Sequence, residues 1–254
     1  MFSRLFEDIL DLLFPRSPLT RELESLDAFM FAARVEKTDG YAGKNIISLF
    51  HYRDKLVRQA VWELKYRGNK KIAKLLSEAL YDELLAFLEE YAPLTNFTEP
   101  LLIPIPLSKK RESERGFNQC RLLCDELMRL DGVSSCISPN KGSTGIVVDC
   151  AVSRLRRSFG GQVGRRDVEI KGNNFTLSLA LTKTKDTQSQ TKAQNRESRM
   201  KNLAGCFTAD ANQILRRNII LIDDVATTGA TIEEARRTLR AAGAKKVIAF
   251  TVAH

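Results

Sequence analysis

"RNIILIDDVATTGATIEEARRTLRAAGAKKVIAFTVA", residues 217–253, reads as strand, turn, helix, glycine stop and strand. The apolar run from Ile219 to Ile222 is the first strand. Ile232, Ala235, Leu239 and Ala242 recur at helical spacing, with Arg236, Arg237 and Arg240 opposite them. Gly243 suits the left-handed residue that ends a helix. "VIAFTVA" is the next buried strand. Parallel strands joined through a helix make a right-handed crossover, so the spacing predicts an α/β sheet. Ligands of such sheets bind at the carboxyl ends of the strands, and "DDVATTGAT", residues 223–231, lies at that end.

The chemistry of these nine residues is specific. A helix N-terminus offers unpaired N–H groups and the positive end of a dipole, and so attracts phosphate. Gly229 lets the backbone approach closely, and Thr227, Thr228 and Thr231 add hydroxyls. The lysine of an ATP-type phosphate loop is absent, which points to a monophosphate held by neutral donors. Asp223 and Asp224 would repel a bare phosphate. A phosphorylated sugar solves the conflict: its hydroxyls donate to the carboxylates while its phosphate lies in the turn. Ribose 5-phosphate presents its 2- and 3-hydroxyls on the side away from the phosphate. The plainer alternative is a helix-capping acid beside an ordinary turn, which a lone pair of aspartates would suggest.

The rest of the 254 residues sets bounds. Hydrophobic residues make up 43% and charged residues 28%, an ordinary globular balance. Forty Lys+Arg against 31 Asp+Glu leave a net charge of +9, which favours polyanionic partners or simply a well-solvated surface. No apolar run approaches the roughly 18 residues of a membrane helix. The opening "MFSRLFEDILDLLF" reads as a packed amphipathic helix and not a secretory signal. Five cysteines, Cys120, Cys124, Cys136, Cys150 and Cys206, form no CxxC pair, so they read as reduced thiols of a cytoplasmic protein. His51 and His254 are far apart in sequence and suggest no site.

Residues 1–95 read as a mostly helical region, with Leu56, Ala60 and Leu64, then Ile72, Leu75, Leu76, Ala79, Leu80 and Leu84, at helical spacing on either side of a break at Gly68 and Asn69. "APLTNFTEP", residues 92–100, reads as a linker. Residues 96–254 form the α/β domain, with an apparent insertion at about 131–174 rich in glycine and arginine. Within the domain, "LLIPIP" reads as a strand, "LSKKRESERG" as a basic loop, "FNQCRLLCDELMRL" as a helix and "FTLSLAL" as a strand. "TKTKDTQSQTKAQNRESR", residues 182–199, has a single apolar residue and reads as a surface loop or lid.

"LIDDVATTGAT" resembles the PRPP-binding motif of type I phosphoribosyltransferases. "YRDKLVRQAVWELKYRG", "PIPLSKKRESERGFNQC" and "KDTQSQTKAQNRESRMKNLAGCF" narrow the resemblance to the ComF family, the phosphoribosyltransferase-like proteins of bacterial competence. In the last block Asp186, Thr187, Gln190, Arg199, Asn202, Gly205 and Phe207 match the family pattern. The resemblance implies a type I phosphoribosyltransferase fold, a parallel sheet flanked by helices. It implies that Asp223 and Asp224 hold the ribose hydroxyls of PRPP, and that Ala226, Thr227, Thr228, Gly229, Ala230 and Thr231 hold its 5-phosphate. Ser108, Lys109 and Lys110 then face the pyrophosphate, and a closing loop around Lys192, Arg196 and Arg199 covers the reaction.

The same resemblance implies Mg²⁺ with PRPP and, as an alternative to catalysis, binding of single-stranded DNA and a DNA-translocating competence helicase. The family's zinc ribbon follows an "LLFP" segment; here "LLFPRSPLTRELESL" has no cysteine, so no zinc is expected. Only 7% of the chain is aromatic, and the sequence does not locate a stacking face for DNA.

Overall fold

A computed structural model describes residues 17–38, 41–43, 45–132, 174–186 and 203–254. Its centre is the predicted unit: β7 (Asn218–Val225), α8 (Ala230–Ala241) and β8 (Lys246–Ala253). The two strands pair in parallel from Asn218↔Lys246 to Val225↔Ala253. β7 continues past Ile222 through the acid pair, because Asp223 and Asp224 stay in register with β8 and are themselves buried. Gly243 has φ +93°, the left-handed stop that the helix needs.

β3 (Leu101–Pro104) lies parallel on the other side of β7, and β4 (Thr176–Leu177) continues the sheet beyond it. Beside β8 lies β2 (Ile46–Phe50), also parallel, with β1 (Tyr41–Gly43) antiparallel at the edge. The order is thus β1-β2-β8-β7-β3-β4, and five of the six strands are parallel. The helical reading of the N-terminal region misses β1 and β2. "IISLF" is a short, mostly apolar run whose strand state is decided by pairing with β8, not by its own period. Residue 95 is therefore not a boundary of the sheet.

The remaining N-terminal elements are helices: α1 (Pro18–Ser25), α2 (Ala28–Arg34), α3 (Lys55–Arg67) and α4 (Lys70–Thr95). The break between α3 and α4 falls where expected. Gly68 ends one helix at φ +57° and the Asn69 side chain caps the next. α4 runs through Pro93, so the connection to β3 is shorter than the turn-forming composition suggests. "LSKKRESERG" is not a loop but α5 (Lys109–Arg115), capped by Ser108 and stopped by the left-handed Gly116. It buries no residue, so it lacks the apolar stripe by which a helix is recognised in sequence. α6 (Gln119–Leu130) follows as predicted. "FTLSLAL" divides between β4 and β5 (Leu181–Lys183), and β5 pairs antiparallel with β6 (Phe207–Ala209) in a separate two-stranded sheet. A short α7 (Ala211–Ile214) leads into β7.

Side chains alternate along a strand, and the sheet separates two apolar layers. Ile220, Ile222, Ile248 and Phe250 pack with α3, α4 and much of α6. Ile219, Leu221, Val247 and Ala249 pack with Ile232, Ala235 and Leu239 of α8 and with the β5–β6 pair. Arg236 of α8 is buried rather than on the open face expected for it, held by Glu233 at 2.6 Å. The ends of the segment between α6 and β4 are tied by Asp131, which accepts from Tyr81 Oη, Asn174 Nδ2 and the Phe175 N–H. The proposed insertion lies almost wholly outside the described residues, as do Cys136 and Cys150.

Candidate functional site

At the carboxyl end of β7 the alternation sends neighbouring acids to different surroundings. Asp223 follows Leu221 toward the α8 layer and meets Cys120, whose thiol donates to Oδ1 at 3.4 Å. The Asp224 N–H donates to the same oxygen at 2.9 Å. Asp224 follows Ile222 toward the N-terminal helices and meets Lys65 of α3, with Nζ 3.3 Å from Oδ1. Its Oδ2 is buried and has no hydrogen-bond partner among the described residues.

The electrostatics follow from this burial. Loss of water and the adjacent Asp224 push the Asp223 pKa up from 3.8 to about 7, against the pull of Lys65, the Asp224 N–H and Cys120. Burial and the two carboxylates push the Cys120 thiol well up, which keeps its proton available to Asp223. Burial alone would lower the Lys65 pKa, but Asp224 and Asp223 outweigh it and hold the ammonium above its ordinary value. Lys65 is the residue that sequence reading missed. It stands within a block that resembles the family, yet nothing local distinguishes it from the other basic residues of α3.

Beyond Val225 the chain leaves the sheet and turns into α8. Ala226 is held by its N–H to Ala253 O at 2.9 Å, while Thr227 is exposed. Thr228 Oγ1 accepts from the Ala230 N–H at 3.4 Å. Gly229 takes φ +72° at the helix start, and no side chain caps the helix there. A Cβ at Gly229 would stand 3.1 Å from Ile46 Cδ1, so β2 presses against the turn from below. Ala230 is buried and Thr231 half-buried in the first turn. The residues expected to hold a phosphate are thus gathered around an uncapped helix N-terminus. His254, which suggested nothing in sequence, reaches this turn: its Nδ1 lies 2.9 Å from Ala226 O, and its backbone bonds to Phe50 and Tyr52.

Ser108 is buried at the start of α5, where it accepts from the Arg111 N–H and donates to Asp186 Oδ1 at 2.6 Å. Lys109 and Lys110 are exposed in the first turn. Ser108 also bridges to Lys183 of β5. Burial lowers the Lys183 pKa and Arg111 adds to that, while Cys206, Asp186 and Asp223 act against them. Lys183 therefore stands within electrostatic reach of both Asp223 and α5, another basic group absent from the expected set. Lys192, Arg196 and Arg199 lie outside the described residues. The ends of their segment are anchored: Asp186 on Ser108, and the Gly205 N–H on Glu234 Oε1 of α8 at 2.6 Å.

Comparison with known proteins agrees with this architecture. Residues 170–254 match the family model of the phosphoribosyl transferase domain. The chain is 30% identical over 207 residues to competence protein ComFC of Bacillus subtilis, covering 81% of this chain and 62% of that protein. It is 26% identical over 146 residues to competence protein F of Haemophilus influenzae, covering 58% of this chain and 46% of the relative. The chain spans less than two thirds of the length of these relatives. Among the described residues no helix is long and apolar enough to cross a membrane. Taken with the parallel sheet and its turn into α8, these matches give the chain a phosphoribosyltransferase-type domain and make it similar to the ComF competence proteins.

Proposed function

We propose that the site binds PRPP and that the protein acts in DNA uptake and natural transformation, in the cytoplasm. The observation that carries this reading is the end of β7. Two buried carboxylates, one with an oxygen unpartnered among the described residues, stand directly before a glycine turn onto an uncapped helix. The 5-phosphate is assigned to residues 226–231, the ribose hydroxyls to Asp223 and Asp224, and the pyrophosphate to the Ser108–Lys110 segment. In phosphoribosyl transfer the bond from the anomeric carbon to pyrophosphate breaks and a bond to the acceptor forms, with positive charge developing on the ribose. Asp223 and Asp224 would be the residues to hold Mg²⁺, and the ion would neutralise the leaving pyrophosphate. Among the described residues no group of three or more His, Cys, Asp or Glu is arranged to hold a metal ion by itself, so such an ion would draw further oxygens from the ligand. Lys109, Lys110 and Lys183 supply cationic charge from the chain itself. The acceptor is not named by any residue of the site.

Calorimetric titration with PRPP, with and without magnesium, tests the reading. Wild type is expected to bind in a magnesium-dependent manner. Asp223→Asn combined with Asp224→Asn is expected to weaken binding by about 100-fold or more, since hydrogen bonds to charged groups contribute ~1.5–3 kcal/mol each. Equal binding by the double variant would sink the site assignment.

A specific surface supports the second reading, a non-catalytic factor that holds single-stranded DNA and a competence helicase. On α3, Trp62 and Tyr66 are 42% and 60% exposed, with ring centroids 5.6 Å apart. The Arg67 guanidinium lies 5.5 Å from the Trp62 centroid and that of Arg115 lies 5.4 Å from Tyr66. Exposed rings bordered by cations suit stacked bases and a phosphate backbone. Trp62→Ala with Tyr66→Ala is expected to weaken oligonucleotide binding by ~2 kcal/mol or more, at ~1–3 kcal/mol per stacked base. Arg115→Ala should reduce its salt dependence. Unchanged binding in the aromatic variant would remove this face from consideration.

A further inference from the structure

Lys65 is more than a neutralising charge in a fold contact. Asp224 is almost fully buried, its side chain 5% exposed, whereas Lys65 is 23% exposed. Lys65 therefore keeps contact with solvent while the carboxylate it holds does not, and its ammonium occupies one of the two oxygens that a sugar hydroxyl would take. Asp224 Oδ2 is buried, and among the described residues it finds no donor. A carboxylate left in that state is costly, and a hydroxyl from a ligand would relieve it. Lysine suits such an exchange, because its compact charge on a flexible stem can turn from one acceptor to another.

The surroundings of Lys65 say where the ammonium would turn. The next residue, Tyr66, carries the Arg115 guanidinium over its ring. Arg115 ends α5, the helix that begins at Ser108, Lys109 and Lys110. The last turn of α3 therefore lies against the C-terminal end of the helix that opens with the segment assigned to the pyrophosphate, ~10 Å along its axis from Ser108. The phosphate turn at 226–231 leads instead into α8, whose apolar residues pack on the opposite face of the sheet.

We propose that Lys65 is a ligand-binding residue that holds Asp224 before the sugar phosphate arrives and passes to its anomeric pyrophosphate when the sugar hydroxyls take Asp224. This inference rests on the sugar-phosphate reading of the site. It is tested by calorimetric titration of the full chain with PRPP and, separately, with ribose 5-phosphate, both with magnesium. Wild type, Lys65→Met and Lys65→Gln are compared. Both variants are expected to lose PRPP affinity by about 10- to 100-fold, the effect of one charge-assisted contact. Ribose 5-phosphate, which lacks the pyrophosphate, should bind them as well as wild type or more tightly, since no ammonium has to leave Asp224. Equal losses for the two ligands, or no loss for either, would overturn the inference and leave the sugar-phosphate reading standing. Wild type binding neither ligand would overturn that reading, and the inference with it. Lys65→Gln keeps a hydrogen-bond donor for Asp224 and preserves the experiment should the methionine variant unfold.

Discussion

Asp223 and Asp224 share a motif but not an environment. Asp223 is enclosed by neutral donors, a thiol and a backbone N–H, which leave its charge largely uncompensated and its pKa at about 7. Asp224 has a cation at 3.3 Å from a helix on the other side of the sheet. The difference is a consequence of strand alternation: one residue of advance along β7 changes the layer that a side chain meets. It teaches that two adjacent acids can have separate duties, one with its pKa pushed up by burial and the other paired with a lysine.

Single substitutions break this comparison most directly. Asp224→Asn is expected to cost about 2 kcal/mol at neutral pH, measured by urea unfolding, because it leaves the Lys65 charge without its partner. That is below the ~3–5 kcal/mol of a fully buried pair, since Lys65 can turn toward water. Gly229→Ala should cost a similar or slightly smaller ~1–2 kcal/mol, from the left-handed φ and the contact with Ile46, and should also weaken phosphate binding. Asp223→Asn should be the mildest, under about 1 kcal/mol, because an amide oxygen still accepts from Cys120 and from the Asp224 N–H. A larger loss for Asp223→Asn than for Asp224→Asn would reverse the assignment of roles.

The pH dependence sharpens the same contrast. The folded state keeps the Asp223 proton up to about pH 7, whereas an unfolded chain releases it near 3.8. Between those values the folded state binds more protons, so this contribution to stability falls as pH rises and is flat above the window. The difference between wild type and Asp223→Asn, followed by urea midpoints from pH 4 to pH 8, should change across that window in this direction. A difference that does not vary with pH would place Asp223 among ordinary carboxylates.

Much of the fold was legible before any coordinates. The β7–α8–β8 unit carries its own signals: an unbroken apolar run, a helical stripe and glycines at both ends of the helix. α5 was not, although Ser108 and Gly116 mark its two ends, because none of its seven residues is apolar and so no apolar period appears. β2 was missed because a five-residue, mostly apolar run fits a buried helix turn as well as a strand until β8 is beside it.

The sequence by itself determined the acid pair, the glycine turn and the crossover unit that presents them, because these depend on neighbours within a few residues. Only the tertiary structure decided that Lys65 and Cys120 are the partners of the two acids. It likewise decided that Ile46 lies under Gly229 and that Trp62 and Tyr66 remain on the surface. Those relations join segments distant along the chain, and they are set by which layer of a two-faced sheet each helix covers. No local period or motif encodes that choice; the packing of the apolar faces does.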